Sequence, residues 1–244
     1  MRFTVALVGL DGAGKTTIAR LLEASGGGLR HRYLYMGRSL ASANASLPTS
    51  RLVRAFTPSS PAVSGTGAVE PARTAEATAP QRRVGGKRRR GSIRMAASLA
   101  NRLVEAWWRQ LVSFLHRLRG YVVIYDRHYL FESAMALGGR RAAHTLDRLE
   151  FWLFSRAYPK PGLVIFLDVP PQVAYARKGE LSIRRLWKRR AALLETGRQL
   201  PHFVPVDADR PLEQVLADVR KHLSSFDAAR SRQIGPRDRV EERR

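Results

Sequence analysis

The stretch VGLDGAGKTT, Val8 to Thr17, decides the fold. Gly9 to Thr16 match G-x-x-x-x-G-K-[ST], a pattern that needs a strand before it and a helix after it. Both are predicted: Thr4 to Val8 is an apolar, β-branched run, and Thr16 to Ala24 carries helical periodicity. Glycines let successive backbone N–H groups turn inward, and the helix N-terminus adds partial positive charge, so such a loop encloses a phosphate chain. The holding residues are Gly9, Asp11, Gly12, Ala13, Gly14, Lys15, Thr16 and Thr17. Lys15 is placed to reach terminal phosphates, and the Thr16 hydroxyl suits Mg²⁺, a hard cation that prefers oxygen ligands.

Working outward, short apolar runs recur at Tyr33 to Met36, Tyr121 to Tyr125, Leu163 to Asp168 and Phe203 to Val206. Their near-continuous apolar character suits strands buried on both faces of a parallel sheet. Helical patterns separate them over Met95 to Arg119, Leu146 to Tyr158, Pro171 to Lys178, Ile183 to Thr196 and Leu212 to Leu223. Ser182 and Pro211 mark helix starts and Gly120 a helix end. The alternation predicts an α/β protein of P-loop NTPase type: a doubly wound five-stranded parallel sheet with helices on both faces. The helix over Met95 to Arg119 is expected to turn Leu99, Leu103, Trp107, Leu111, Phe114, Leu115 and Leu118 toward the sheet, with Trp107 and Trp108 in the core.

The 244 residues, 44% of them hydrophobic, suit one large domain or two small ones. There are no cysteines, which excludes a disulfide framework and thiolate metal sites. The apolar N-terminus is interrupted by Asp11 and Lys15, so it reads as a buried strand, not a signal peptide. No apolar run approaches the roughly 20 residues that span a bilayer, and a soluble, cytoplasmic protein is expected. The net charge of +23 is concentrated in QRRVGGKRRRGSIR (Gln81 to Arg94) and RKGELSIRRLWKRR (Arg177 to Arg190). The first run is a candidate for non-specific polyanion binding. Residues 41–92 are Ala-, Ser-, Pro-, Gly- and Arg-rich without periodicity and are expected to form a disordered insertion; 227–244 are expected to form a disordered tail. The domain proper is then 1–226.

Two further stretches carry chemistry. YVVIYDRHYLFES, Tyr121 to Ser133, ends a buried strand in Asp126 and Arg127, at the carboxyl edge where parallel sheets bind ligands. Asp126 can hold a magnesium ion directly or through its waters, and Arg127 can grip a phosphate at two points. LDVPPQVAYARKGELSIRRLWKRR continues from a strand into a basic helix. There Ile183, Leu186, Trp187 and Leu194 are expected on the apolar side, with Arg184 and Arg185 exposed.

Together these stretches resemble the thymidylate kinase-like family of P-loop nucleoside monophosphate kinases. The resemblance rests on GLDGAGKTT, on VVIYDRHYLFES, on VIFLDVPPQVAYARKGE leading into an arginine-bearing lid (177–190), and on FVPVDADRPLEQVLADV. It implies ATP and Mg²⁺ as cofactors and transfer of the γ-phosphate to a nucleoside monophosphate, with dTMP suggested. It implies that Lys15 and Thr16 meet the triphosphate and the metal, Arg127 a phosphoryl group, and Asp11 the acceptor. Arg177 would border the adenine, with Asp207 and Ala208 near the purine edge. Gly12 offers no arginine from the loop, so Arg184 or Arg185 would supply the transition-state charge. The chain departs from the family at Val8 and His128, where glutamate and tyrosine are common, and on the helix that reads thymine, where only Asn101, Arg102, Arg109 and Gln110 are available. Two alternatives stay open: a kinase for a non-nucleotide metabolite, and a nucleic-acid-associated ATP-binding protein. The acceptor and the oligomeric state, a homodimer included, are not specified.

Overall fold

The computed structural model describes residues 1–25, 28–37, 45, 87–132, 152 and 156–233, with backbone alone over 87–99. The elements are β1 (Thr4–Gly9), α1 (Lys15–Ala24), β2 (His31–Tyr35), α2 (Lys87–Leu118), β3 (Val122–Asp126), β4 (Leu163–Asp168), α3 (Pro171–Lys178), α4 (Ile183–Arg198), β5 (Phe203–Asp207) and α5 (Leu212–Gln233). The chain divides into two compact units, Met1–Ala45 with Ala106–Arg244, and Ser46–Glu105. Of the second, helical backbone from Lys87 onward is what the structure describes.

In the first unit the five strands form one parallel sheet in the order β2-β3-β1-β4-β5. This is a doubly wound α/β fold of P-loop type. The central strand β1 lies between β3 and β4, so chains leaving its carboxyl end diverge to opposite sides and open a crevice there. Burial follows the expected pattern in the three central strands, while the edge strands β2 and β5 are partly exposed. Val5, Ala6 and Leu7, then Val122, Val123 and Ile124, then Ile165, Phe166 and Leu167 are fully buried, as strands covered on both faces must be. Pro205, which cannot donate to a ladder, is tolerated because β5 is an edge strand. No helix among the described residues is long and apolar enough to cross a membrane.

Two helices present faces other than those expected. Along α2, Trp107, Leu111, Phe114, Leu115 and Leu118 are exposed, while Arg109, Gln110 and Ser113 are buried. Trp107 lies edge-on to Tyr158 at 6.3 Å and is half exposed, not a core residue. The reason is what lies beneath the helix. The Tyr125 hydroxyl bonds Ser113 at 2.7 Å and donates to Gln110 at 3.4 Å, and the Gly37 carbonyl accepts from Arg109 at 2.7 Å. Buried polar groups require partners, and these supply them. Along α4, Leu186, Leu193 and Gly197 are buried, whereas Ile183 and Trp187 are exposed.

Boundaries also differ. The α2 helix starts at Lys87, inside the segment expected to lack structure, and α5 runs to Gln233, past the expected start of the tail. Ser182 occupies the N-cap position of α4, without a side-chain capping bond. The rest of the expected insertion (apart from Ala45), residues 234–244, and most of the helix expected over Leu146 to Tyr158 lie outside the described residues.

Candidate phosphoryl-transfer site

The loop between β1 and α1 is shaped by three glycines. A Cβ on Gly9 would lie 2.6 Å from the Leu167 carbonyl oxygen of β4, so only glycine lets the strands close there. Gly12 and Gly14 adopt φ of 92° and 82°, a region that favours glycine. A side chain at Gly12 would also meet the Ala174 carbonyl at 3.2 Å and the Arg177 Cβ at 3.4 Å. An arginine at this loop position would be both crowded by α3 and held in a backbone conformation that favours glycine. Gly14 caps α1, which begins at Lys15 and directs its N-terminal N–H groups at the loop.

Lys15 is buried, its Nζ donating to the carbonyls of Gly9 at 3.1 Å and Leu10 at 2.7 Å. Burial pulls its pKa down to about 8, against the opposing pull of Asp11. Beside it, the Thr16 hydroxyl donates to Asp126 Oδ2 at 2.5 Å, and the Tyr33 hydroxyl reaches the same oxygen at 3.2 Å. Burial, and then the Asp126 carboxylate, raise the Tyr33 pKa. Asp126 is 2% exposed, and its Oδ1 is a buried oxygen with no hydrogen-bond partner. A hydroxyl and a carboxylate with one unsatisfied oxygen beside a phosphate loop are a donor set that a magnesium ion with its own waters would take, so the residues fit that ion.

Arg127 follows at the end of β3 with φ 69°, the sole non-glycine residue with positive φ among those described. The conformation carries strain, and it turns the guanidinium back across the loop. Its Nη2 donates to Asp11 at 2.7 Å and its Nη1 to Glu132 at 3.4 Å. From the opposite side, Arg189 of α4 donates to the other oxygen of Asp11 at 3.1 Å. Burial alone would raise the Asp11 pKa, but Arg127, Lys15 and Arg189 together bring it below the ordinary carboxylate range. Val8, Leu10, Asp11, Lys15, Arg127, His128, Phe131, Glu132, Arg189 and Leu193 line one cleft.

Of the residues expected from sequence, the structure gathers Gly9, Asp11, Gly12, Lys15, Thr16, Asp126 and Arg127. Arg177 stands against the loop, its Nη1 donating to the Gly12 carbonyl at 3.4 Å and its Nη2 3.5 Å from Asp209. Ala208 is buried and its N–H donates to the Asp168 carbonyl at 2.8 Å, while the Asp207 side chain is exposed. Arg184 and Arg185 are both exposed on the first turn of α4. The arginine that arrives is Arg189. Sequence reading missed it because the phase of α4 was set by its large apolar residues; the pair Leu186 and Leu193, which flanks Arg189 at helical spacing, was the available signal.

Fold and site define the class: a P-loop protein with an Asp-Arg element on β3 and an arginine-bearing helix beyond β4. A probable thymidylate kinase from Archaeoglobus fulgidus is 35% identical over 118 residues, 44% of this chain and 55% of that protein. A thymidylate kinase from Burkholderia thailandensis is 33% identical over 122 residues, 46% of this chain and 56% of that protein. No family model matches the chain. The chain spans about half the length of the curated relatives it matches, and over that part it is similar to them.

Proposed function

We propose that the protein is an ATP-dependent phosphotransferase that moves the γ-phosphoryl group of ATP to a nucleoside monophosphate, with dTMP the first acceptor to test. The observation that carries this reading is the meeting of Arg127 and Arg189 on Asp11, across the mouth of a loop that holds Lys15. Phosphoryl transfer asks little covalent chemistry of the protein and much positioning and charge neutralisation. Lys15 and the loop N–H groups would hold the donor phosphates. Thr16 and Asp126 would hold Mg²⁺, which when bound neutralises phosphate charge. Arg127 would orient the acceptor phosphate, and Arg189, which already reaches Asp11, would stabilise charge on the transferring group. The relatives' names support the acceptor class.

The test is ADP release with ATP, Mg²⁺ and a panel of nucleoside monophosphates. Turnover with dTMP, and a fall in kcat of about 10³-fold or more on Arg189→Ala with kcat within a few-fold for Arg184→Ala and Arg185→Ala, is the expected result. Absence of turnover with every nucleotide would overturn it.

Glu132 favours a second reading. Its carboxylate already engages Arg127 and would oppose an incoming acceptor phosphate. A small hydroxylated acceptor would suit that site better. Asp11, held below the ordinary carboxylate range, is a poor proton acceptor and would orient the hydroxyl. Sugar and polyol acceptors in the same assay discriminate the two.

A further inference from the structure

We infer that Asp168 and Arg190 form a positioning clamp that sets Arg189 on the loop, an inference that rests on the phosphotransferase reading above. Arg190 grips Asp168 at two points, Nε to Oδ1 and Nη2 to Oδ2, both at 2.6 Å. A planar fork on a carboxylate fixes orientation as well as proximity. Asp168 is itself held: it ends β4, stands in register with Asp207 of β5, and its carbonyl accepts from the Ala208 N–H at 2.8 Å. The residue before it, Leu167, is the one whose carbonyl Gly9 is seated against. The clamp thus ties α4 to the strand that shapes the phosphate loop.

Consecutive arginines on α4 diverge to two carboxylates, Arg189 to Asp11 and Arg190 to Asp168. Leu186 and Leu193 bury the turns on either side. Apolar packing holds the helix down but tolerates small rotations about its axis; the fork does not. The pair is partly solvent-exposed, with side chains 28% and 25% exposed, so it adds little to global stability. Its consequence is the direction in which Arg189 points. Asp168 and Arg190 are positioning residues; neither faces the cleft.

The experiment is steady-state kinetics of Asp168→Asn and Arg190→Lys, each alone and combined with Arg189→Ala, using whichever acceptor the wild type phosphorylates. Expected is a fall in kcat on the order of ten- to a hundredfold, the scale of a small misplacement, with KM for ATP and the melting temperature nearly unchanged. In the Arg189→Ala background the same substitutions should have no further effect, which a general structural role would not produce. Wild-type kcat in both single variants, or an equal loss with and without the Arg189 side chain, would overturn the clamp. If the wild type transfers phosphate to nothing, the phosphotransferase reading fails by itself. The clamp is then decided by nitrogen-15 relaxation of the Arg189 side-chain Nε–H, expected rigid in the wild type and mobile in Asp168→Asn; unchanged mobility would reject it.

Discussion

Lys15 is held where its charge is costly, and the cost has a direction. Burial lowers its pKa from 10.5 to about 8, so below pH 8 the folded protein carries a buried ammonium that the unfolded chain would solvate freely. Replacing it with an apolar side chain removes that cost along with the phosphate contact. Lys15→Met is therefore expected to melt no lower than the wild type near neutral pH while losing the rise in melting temperature that ATP gives the wild type. A retained ATP-dependent shift would detach Lys15 from the nucleotide. His128 has the complementary behaviour. It is fully buried, stacked on Tyr125 at 5.9 Å and packed on Tyr158 at 5.5 Å, and burial pushes its pKa down to about 4. Above the unfolded value of 6.5 neither state is protonated, so stability is full there. As pH falls from 6.5 toward 4 the unfolded chain takes up a proton that the native state refuses, and stability drops by on the order of 3 kcal/mol. Urea unfolding across this range should show the acid slope in the wild type and a shallower one in His128→Phe; equal slopes would refute the assignment.

The strands were legible because each contains an apolar run bounded by turn residues, and the strand Leu163–Asp168 and the helix Pro171–Lys178 fall where the sequence places them. The loop was legible because its chemistry is local: glycines, lysine and threonine at fixed spacing. What stayed hidden depends on contacts between distant segments. The inward face of α2 is polar because Gly37 and Tyr125 offer a carbonyl and a hydroxyl there, and nothing in the helix's own sequence announces them. The phase of α4 was obscured in the same way, since its inward face combines Leu186 and Leu193 with two arginines and Gly197. That glycine yields a prediction. A Cβ at Gly197 would fall 2.1 Å from the Phe203 ring, which itself stacks on Phe166. Helix propensity favours alanine over glycine by up to about 1 kcal/mol, but overpacking costs about 1–3 kcal/mol. Gly197→Ala should therefore lower the unfolding free energy by about 1–2 kcal/mol in urea titrations; a more stable variant would show that Phe203 yields without strain.

At the scale of the molecule, strand order separates what the site needs from what the chain carries besides. All five strands, the phosphate loop, Asp126, Arg127, Arg189 and the Asp168–Arg190 pair belong to the unit formed by Met1–Ala45 and Ala106–Arg244. The crevice at the end of β1 is bounded by β3 and β4, and every polar contact described around it is made within that unit. The composition of residues 42–81 offers few large apolar side chains to a core. Deleting Ser42 to Gln81 is therefore expected to leave a soluble protein whose melting temperature rises with ATP and Mg²⁺ as much as that of the full chain, because ligand binding to the native state alone sets that shift. The basic run from Arg82 to Arg94 survives the deletion, so polyanion binding with a steep salt dependence should survive as well. A folded deletion variant that no longer responds to ATP would mean that the segment completes the nucleotide site, and the division of labour between the two units would have to be redrawn.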